Sequence, residues 1–158
     1  ALISRAHLES VLSYLALAEV EGGKILCGGK LIERNGDLEG GFFLRPAIIE
    51  GLAPEARTNQ EEILGPLVTI APFDTQEEAI QLANSTPYSR SACIWTKDIQ
   101  LANQTAEQIN AGMVWINAWM DLDPSVAFGL SKASGNAIVG GQEAMNFFTD
   151  EIVTGSGW

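Results

Sequence analysis

The sequence is poor in the residue types on which most metal-binding and nucleophilic sites depend. It contains two cysteines, Cys27 and Cys93, and a single histidine, His7, among 158 residues. The cysteines are too far apart for a zinc-binding Cys-x-x-Cys pair, so no metal site is predicted. One histidine, placed where a helix is predicted to begin, also disfavours Ser-His-Asp and Cys-His catalysis. Both cysteines lie in apolar stretches, so we expect them to be small buried side chains in a reducing, cytoplasmic compartment.

Basic residues are scarce as well. Nine Lys and Arg stand against 20 Asp and Glu, a net charge of −11, which argues against binding to nucleic acid or to an anionic membrane surface. No apolar run reaches the ~18 residues that a transmembrane helix needs. The first residues do not resemble a signal peptide, and because the chain starts at Ala1 rather than Met we expect a piece of a longer chain. With 46% hydrophobic residues, the composition is that of one folded domain.

The first 66 residues predict a helix followed by extended segments. Apolar residues at helical spacing predict a helix over residues 4–21, which Gly22 and Gly23 would end. Residues 24–27 predict a strand, and residues 30–41 a polar surface excursion. Residues 42–50 read as extended chain, with Pro46 near a sheet edge.

The rest of the chain alternates strands with helices. Strands are predicted over residues 67–73, 91–96 and 113–117. Thr75 and Glu78 form a capping box that opens the first intervening helix, and Asp98 caps the second, which Gly112 would end. Short connections of this kind predict one parallel sheet in a three-layer α/β fold with flanking helices. A last helix over residues 142–148 and a terminal strand over residues 151–154 complete the prediction.

A nucleotide-binding role has one candidate feature. No G-x-G-x-x-G or G-x-x-x-x-G-K sequence follows a strand, so the chain does not carry a pyrophosphate loop of its own. Instead, Glu61 and Glu62 directly precede Ile63-Leu64 and a Gly65-Pro66 turn. A carboxylate held by such a turn could accept hydrogen bonds from two ribose hydroxyls. The alternative is a solvated acidic pair before a strand.

Short motifs follow one another in a fixed order along nearly the whole chain. They are Glu61-Glu62-Ile63-Leu64-Gly65-Pro66, Glu78-Ala79-Ile80, Ala83-Asn84, Trp95-Thr96-Lys97-Asp98, Ala111-Gly112-Met113-Val114-Trp115-Ile116-Asn117, Phe128-Gly129 and Phe148-Thr149. Together they resemble the NAD(P)-dependent aldehyde dehydrogenases, in which the first blocks read E-E-I-F-G-P, E-A-I and A-N. Residues 2–14 are most similar to the branch that oxidises 2-hydroxymuconic and 2-aminomuconic semialdehydes.

The resemblance implies an α/β fold like the catalytic domain of that family. Residues 1–148 would be part of the catalytic domain, and residues 149–158 a C-terminal segment whose strand serves oligomerisation. The cofactor domain and the nucleophilic cysteine would lie upstream of Ala1, since neither Cys27 nor Cys93 has the sequence context of the nucleophile. The implied function is part of a semialdehyde dehydrogenase that uses NAD or NADP and forms a homo-oligomer. Alone, this chain is predicted to be inactive.

The resemblance also assigns five residues to the cofactor and substrate sites. Glu62 matches the acid that binds the nicotinamide ribose, and Leu64 matches the Phe that packs near the nicotinamide. Phe128 matches an aromatic residue that lines the aldehyde pocket. Asn117 and Trp119 fall on the strand end and loop before it, where they would border the same pocket. For Asn117, an amide that fixes the loop is the alternative.

Three segments depart from the family pattern. The chain has Tyr88-Ser89-Arg90 for Y-G-L, Ala127-Phe128-Gly129-Leu130 for P-F-G-G, and Ala137-Ile138-Val139 for G-R-E. These changes indicate a relaxed or degenerate copy, so the alternative function is an inactive truncated protein that self-associates or binds a ligand. In addition, the acidic loop over residues 120–124 disfavours an anionic muconic substrate.

Overall fold

The computed structural model describes residues 1–157 and confirms the α/β class. Contacts within the chain gather into two units, Ala1–Asp74 and Thr75–Trp158. The predicted division at residue 148 stays a prediction. The helices are α1 (Arg5–Val20), α2 (Arg57–Gln60), α3 (Gln76–Asn84), α4 (Ile99–Ala106) and α5 (Gly141–Phe147), with a 3-10 helix at Gly36–Leu38. The strands are β1 (Lys24–Cys27), β2 (Ala47–Glu50), β3 (Leu67–Ile70), β4 (Ser91–Ile94), β5 (Met113–Ile116), β6 (Phe128–Gly129) and β7 (Ile138–Val139).

The first unit packs α1 against a three-stranded sheet. The central strand, β2, is antiparallel to β1 and parallel to β3. The helix begins where the Ser4 hydroxyl accepts a hydrogen bond from the His7 amide, and it ends before Gly22, whose φ is +89°. Its buried residues recur every three or four positions, so one stripe of the helix faces the sheet. The core consists of Leu8, Val11, Leu15, Ala18, Leu44, Ala47 and Ile49.

The prediction of a single sheet for residues 67–73, 91–96 and 113–117 is wrong. β3 bonds to β2, with Ala47 opposite Leu67, whereas β4 and β5 form a separate two-stranded sheet. The extended segment before β3 supplies this partner, because its alternate side chains, such as Ile49, are buried. Pro46 accordingly precedes a central strand and is not near a sheet edge. It is tolerated because the first amide of the ladder is that of Ala47, which donates to Pro66.

The expectation that both cysteines are buried fails for one of them. Cys27 is exposed, since it ends the edge strand β1 just after a bulge between Ile25 and Cys27. Cys93 is half-buried, and its thiol donates to the carbonyl of Ala118 at 2.8 Å. Both thiols are free.

The second unit pairs β4 with β5 in parallel, with Ser91 opposite Met113. Both predicted helix starts are confirmed. The Thr75 hydroxyl accepts from the Glu78 amide at 3.1 Å, and the Asp98 carboxylate accepts from the amides of Gln100 and Leu101 in the first turn of α4. α4 lies against β4 and β5 and buries Ala102 completely.

Two predicted ends in this unit are wrong. α4 ends at Ala106 and does not continue to Gly112, because the Asn84 side chain at the end of α3 bonds the Gln108 carbonyl and the Asn110 amide. These bonds hold residues 108–110 outside the helix. Residues 151–154 form no strand, since no segment of the described chain pairs with them.

Candidate functional site

The two predicted acids lie in a short loop between α2 and β3, residues 61–65, which we call the acid loop. The Glu61 carboxylate accepts from the Arg57 guanidinium at 2.7 Å and from the Tyr14 hydroxyl at 2.7 Å. Glu62 is exposed and has no hydrogen-bond or ion-pair partner among residues 1–157. The acids are therefore not equivalent: Glu61 is part of the fold, and Glu62 is available to a ligand.

The electrostatics of Glu61 follow from its partners. Hydrogen bonds from Arg57, first, and from Tyr14, second, lower the pKa of the Glu61 carboxyl. The same bond raises the pKa of the Arg57 guanidinium. An anionic Glu61 therefore ties the end of α2 to α1 over the ordinary working range of pH.

The start of α2 is held by a residue from the end of α1. The Glu21 carboxylate accepts from the Arg57 amide at 2.7 Å and from the hydroxyl and amide of Thr58. These bonds, with that of the Thr58 hydroxyl the largest cause, lower the pKa of Glu21. They cap a helix whose own N-cap residue, Ala56, has no side chain for the purpose. Both ends of α2, and so the start of the acid loop, are fixed to α1.

Leu64 projects from the same loop. Its side chain is 71% exposed, whereas its backbone carbonyl accepts a hydrogen bond from Nε2 of His7. The carbonyl is thus fixed while the apolar side chain stays accessible beside Glu62. The Glu62 carboxylate can accept hydrogen bonds from the hydroxyls of a sugar. The Leu64 side chain, two residues away, can pack against the face of a ring attached to that sugar.

In the second unit, Asn117 and Trp119 lie on the loop that leaves the carboxyl end of β5. Asn117 has a φ of +52°, and its amide binds the backbone of Thr96 twice, accepting at 2.9 Å and donating at 2.8 Å. The loop-fixing alternative for Asn117 is therefore present in the structure. Its bonds join the chain after β4 to the chain after β5, where parallel sheets commonly bind ligands.

Trp119 is held by its neighbours and yet remains accessible. Its ring packs edge-on against Trp115, with 5.5 Å between the ring centroids, and is 62% exposed. Trp115 is buried, and its indole donates to the carbonyl of Asp121 at 2.9 Å. The loop thus presents a fixed aromatic surface to solvent.

Phe128 is half-buried on β6, opposite Val139 of β7. The segment departs from the family pattern at Leu130 without backbone strain, because Leu130 does not have a positive φ. The departure at Ile138 is accommodated too, since this residue pairs with Gly129 in the same two strands.

The third departure, Ser89 in place of a glycine, is built into the fold. Ser89 is buried, and its hydroxyl donates to the carbonyl of Ser131 at 2.6 Å. The Ser89 amide also donates to the Ser134 hydroxyl at 3.0 Å. A buried hydroxyl with such partners is not a defect. The altered segments therefore keep an ordered fold.

The structure brings the predicted residues together in two groups. Glu62 and Leu64 share the acid loop of the first unit, and Asn117 and Trp119 share one loop of the second. Sequence reasoning missed His7 and Tyr14, although their spacing of two helical turns was a signal that they lie on one face of α1. It also missed the Arg57–Glu61 pair, whose i,i+4 spacing is readable in the sequence.

Across the described chain, no three His, Cys, Asp or Glu residues cluster as a metal site would require. None of the described helices has both the length and the hydropathy of a membrane span.

Comparison with known proteins decides the family. The sequence profile of the aldehyde dehydrogenase family matches residues 1–153. The chain belongs to the aldehyde dehydrogenase family. It is 45% identical over 149 residues to a 2-hydroxymuconic semialdehyde dehydrogenase of Pseudomonas sp. strain CF600, covering 94% of this chain and 31% of that protein. It is 39% identical over 152 residues to a mouse 2-aminomuconic semialdehyde dehydrogenase, covering 95% and 31%.

Solved structures of aldehyde dehydrogenases have the same fold. A betaine aldehyde dehydrogenase of Staphylococcus aureus in complex with NAD+ matches with a TM-score of 0.88 and 36% identity, over 93% of this chain and 30% of that one. An indole-3-acetaldehyde dehydrogenase of P. syringae in complex with NAD+ matches with a TM-score of 0.87 and 38% identity, over 95% and 30%. The chain thus spans about a third of the length of the dehydrogenases that it matches.

Proposed function

We propose that this chain supplies part of the catalytic domain of a dehydrogenase that oxidises an aldehyde to a carboxylic acid with NAD or NADP. The observation that carries the proposal is the contrast in the acid loop, where Glu61 is bound internally and Glu62 is left free. Relatives named 2-hydroxymuconic and 2-aminomuconic semialdehyde dehydrogenases favour a semialdehyde as the substrate.

The residues of the acid loop fit a nicotinamide nucleotide. The Glu62 carboxylate would accept hydrogen bonds from the two hydroxyls of the nicotinamide ribose, a charge-assisted contact that fixes the sugar. Leu64 would give apolar contact beside the nicotinamide. When bound, the nucleotide supplies the hydride-accepting chemistry, and this chain contributes the orientation of its sugar.

The second unit carries the residues that the family resemblance assigns to the aldehyde. Phe128 and the fixed ring of Trp119 would form apolar walls of the aldehyde pocket, and Asn117 would hold the loop on which Trp119 stands. Neither Cys27 nor Cys93 has the sequence context of the family nucleophile. We infer that the nucleophilic thiol and the cofactor domain lie upstream in a longer polypeptide.

The charge of the loop after β5 favours a second substrate class. Asp121 and Asp123 are exposed beside Trp119, and hydrogen bonds from Ser125 lower the pKa of the Asp123 carboxyl. Two carboxylates and an exposed indole attract a cation and repel an anion. We infer that an uncharged or cationic aldehyde competes well with a muconic semialdehyde, which is anionic.

The inactive alternative, a truncated protein with only a binding role, is not favoured. Ser89, Leu130 and Ile138, one residue from each segment that departs from the family pattern, are accommodated in the fold, so these three positions do not indicate a disrupted structure. A cytoplasmic location and self-association into a homo-oligomer complete the proposal, supported by the two free thiols and by the exposed apolar C-terminal segment.

A chimeric enzyme tests this function. The matching portion of the Pseudomonas 2-hydroxymuconic semialdehyde dehydrogenase would be replaced with this chain, and NADH formation would be measured with a muconic semialdehyde and with betaine aldehyde. We expect NAD-dependent oxidation of at least one aldehyde. A folded chimera of native oligomeric size that oxidises neither aldehyde would contradict the proposal.

A further inference from the structure

Three residues on one face of α1 reach the acid loop. His7, Val11 and Tyr14 follow one another at spacings of four and three, which places them on one side of the helix. Each of them contacts a different position of the loop. The helix itself is anchored in the core, where Val11 is 1% exposed and Leu15 is 4% exposed.

The three contacts differ in kind. The His7 ring donates from Nε2 to the carbonyl of Leu64. Because a carbonyl oxygen can only accept, Nε2 must carry the hydrogen, and Nδ1 is buried with no partner within the described chain. The Tyr14 hydroxyl donates to the Glu61 carboxylate at 2.7 Å.

The contact between Val11 and the acid loop is possible because Gly65 has no side chain. A Cβ atom placed on Gly65 would lie 2.6 Å from Cγ2 of Val11. Only glycine therefore allows the loop to approach the helix this closely. Beyond it, the amides of Gly65 and Leu67 donate to carbonyls at 2.8 and 2.9 Å, which tightens the turn into β3.

These contacts surround Glu62 without touching it. The loop is held through Glu61 on one side of Glu62 and through Leu64 and Gly65 on the other. A carboxylate on a loop fixed at both sides loses less conformational freedom when it binds a ligand, so it binds more tightly.

We propose that His7 and Tyr14 are positioning residues that hold the acid loop on α1 and so orient the carboxylate of Glu62. The proposal rests on the proposed function, because it treats Glu62 as the ligand-binding group. Neither side chain contacts the ligand itself. Their effect on the ligand passes entirely through the position of Glu62.

The first experiment measures hydrogen exchange of the Gly65 and Leu67 amides by NMR in the full 158-residue chain. His7→Phe removes the donor but keeps a ring, and we expect both amides to exchange about tenfold faster, as for the loss of one hydrogen bond. His7→Gln restores a donor and should return most of the protection. Glu9→Gln, an exposed change on the same helix, should leave the rates within about twofold of those of the parent chain.

A second variant and a spectroscopic signature guard against simple misfolding. Tyr14→Phe should also speed the exchange of both amides, while β4 and β5 amides keep their protection in every variant. Since His7 is the only histidine, its 15N signals are unambiguous and should show the tautomer with the hydrogen on Nε2 and none on Nδ1. Unchanged exchange in both His7→Phe and Tyr14→Phe, or the opposite tautomer, would overturn the proposal.

The ligand arm uses NAD+ itself and the chimeric enzyme, because the cofactor domain is proposed to lie upstream of this chain. We expect His7→Phe to raise the dissociation constant of NAD+ several-fold in the parent chimera and to have no further effect once Glu62→Gln is present, because non-additivity indicates that His7 acts through Glu62. Equal weakening in both backgrounds would overturn the positioning role. A Glu62→Gln chimera that binds NAD+ as tightly as the parent would count against the function proposed for Glu62, whereas the exchange rates would still decide whether α1 holds the loop.

Discussion

Replacing Asn117 separates its two suggested roles, fixing the loop after β5 and touching the substrate. The amide makes two hydrogen bonds to the backbone of Thr96, and the residue has a φ of +52°. Losing two hydrogen bonds costs about 2 kcal/mol. Placing alanine in the left-handed region adds about 1 kcal/mol. We therefore expect Asn117→Ala to lower the free energy of unfolding by about 3 kcal/mol.

A second substitution of Asn117 separates the cost of the lost hydrogen bonds from the cost of the positive φ. Glycine adopts a positive φ without steric cost, so Asn117→Gly should lose only the hydrogen bonds, about 2 kcal/mol. Asn136→Ala is the matched control, because Asn136 is exposed and does not have a positive φ. We expect that change to cost less than about 0.5 kcal/mol.

Tryptophan fluorescence during urea unfolding is the suitable assay. All four tryptophans lie beyond residue 94, so the signal reports the second unit. A cost below about 0.5 kcal/mol for Asn117→Ala, or glycine tolerated no better than alanine, would contradict the loop-fixing role of Asn117. An amide whose role was to contact substrate would leave stability unchanged and raise only the KM for the aldehyde.

Three further predictions concern pH, activity and assembly. The pKa values of Glu21 and Glu61 are lowered in the folded chain, so both carboxylates stabilise the fold above the ordinary Glu pKa of about 4.3, and this stabilisation is lost as the pH falls through their folded pKa values. Urea unfolding followed by circular dichroism should show the loss as a fall in the free energy of unfolding. The double variant Glu21→Gln with Glu61→Gln should show a weaker dependence of that free energy on pH. The chain alone should not oxidise aldehydes, and turnover that alkylation of Cys27 or Cys93 abolishes would contradict this. Residues 151–154, with Ile152 85% and Val153 96% exposed, should support a homodimer or larger assembly, and a monomer in light scattering at high micromolar concentration would contradict this.

Local signals in the sequence predicted the local structure well. The Thr75 and Asp98 caps mark helix starts, and Gly22 follows the end of α1, because each depends on side chains or φ angles within a few residues. The same holds for the strands at β1, β4 and β5. These elements need no knowledge of distant contacts.

The failures all concern partners that lie far apart in the sequence. Which strand pairs with β3 depends on the whole first unit, and the early end of α4 depends on Asn84 of another helix. In the candidate site, the motif predicted roles for Glu62 and Leu64. It could not show that Tyr14 and Arg57 bind Glu61 and so leave Glu62 free, because that distinction arises only when α1 and α2 pack together.

The most direct test of the account is the dissociation constant of NAD+ for the chimeric enzyme with Glu62→Gln. Glu55→Gln serves as the control, since it removes the same charge from an exposed position of the same unit. Loss of charge-assisted hydrogen bonds to the ribose should raise the dissociation constant at least about tenfold for Glu62→Gln, with a change below about twofold for Glu55→Gln. Equal, small changes in both variants would contradict the claim that Glu62 binds the cofactor.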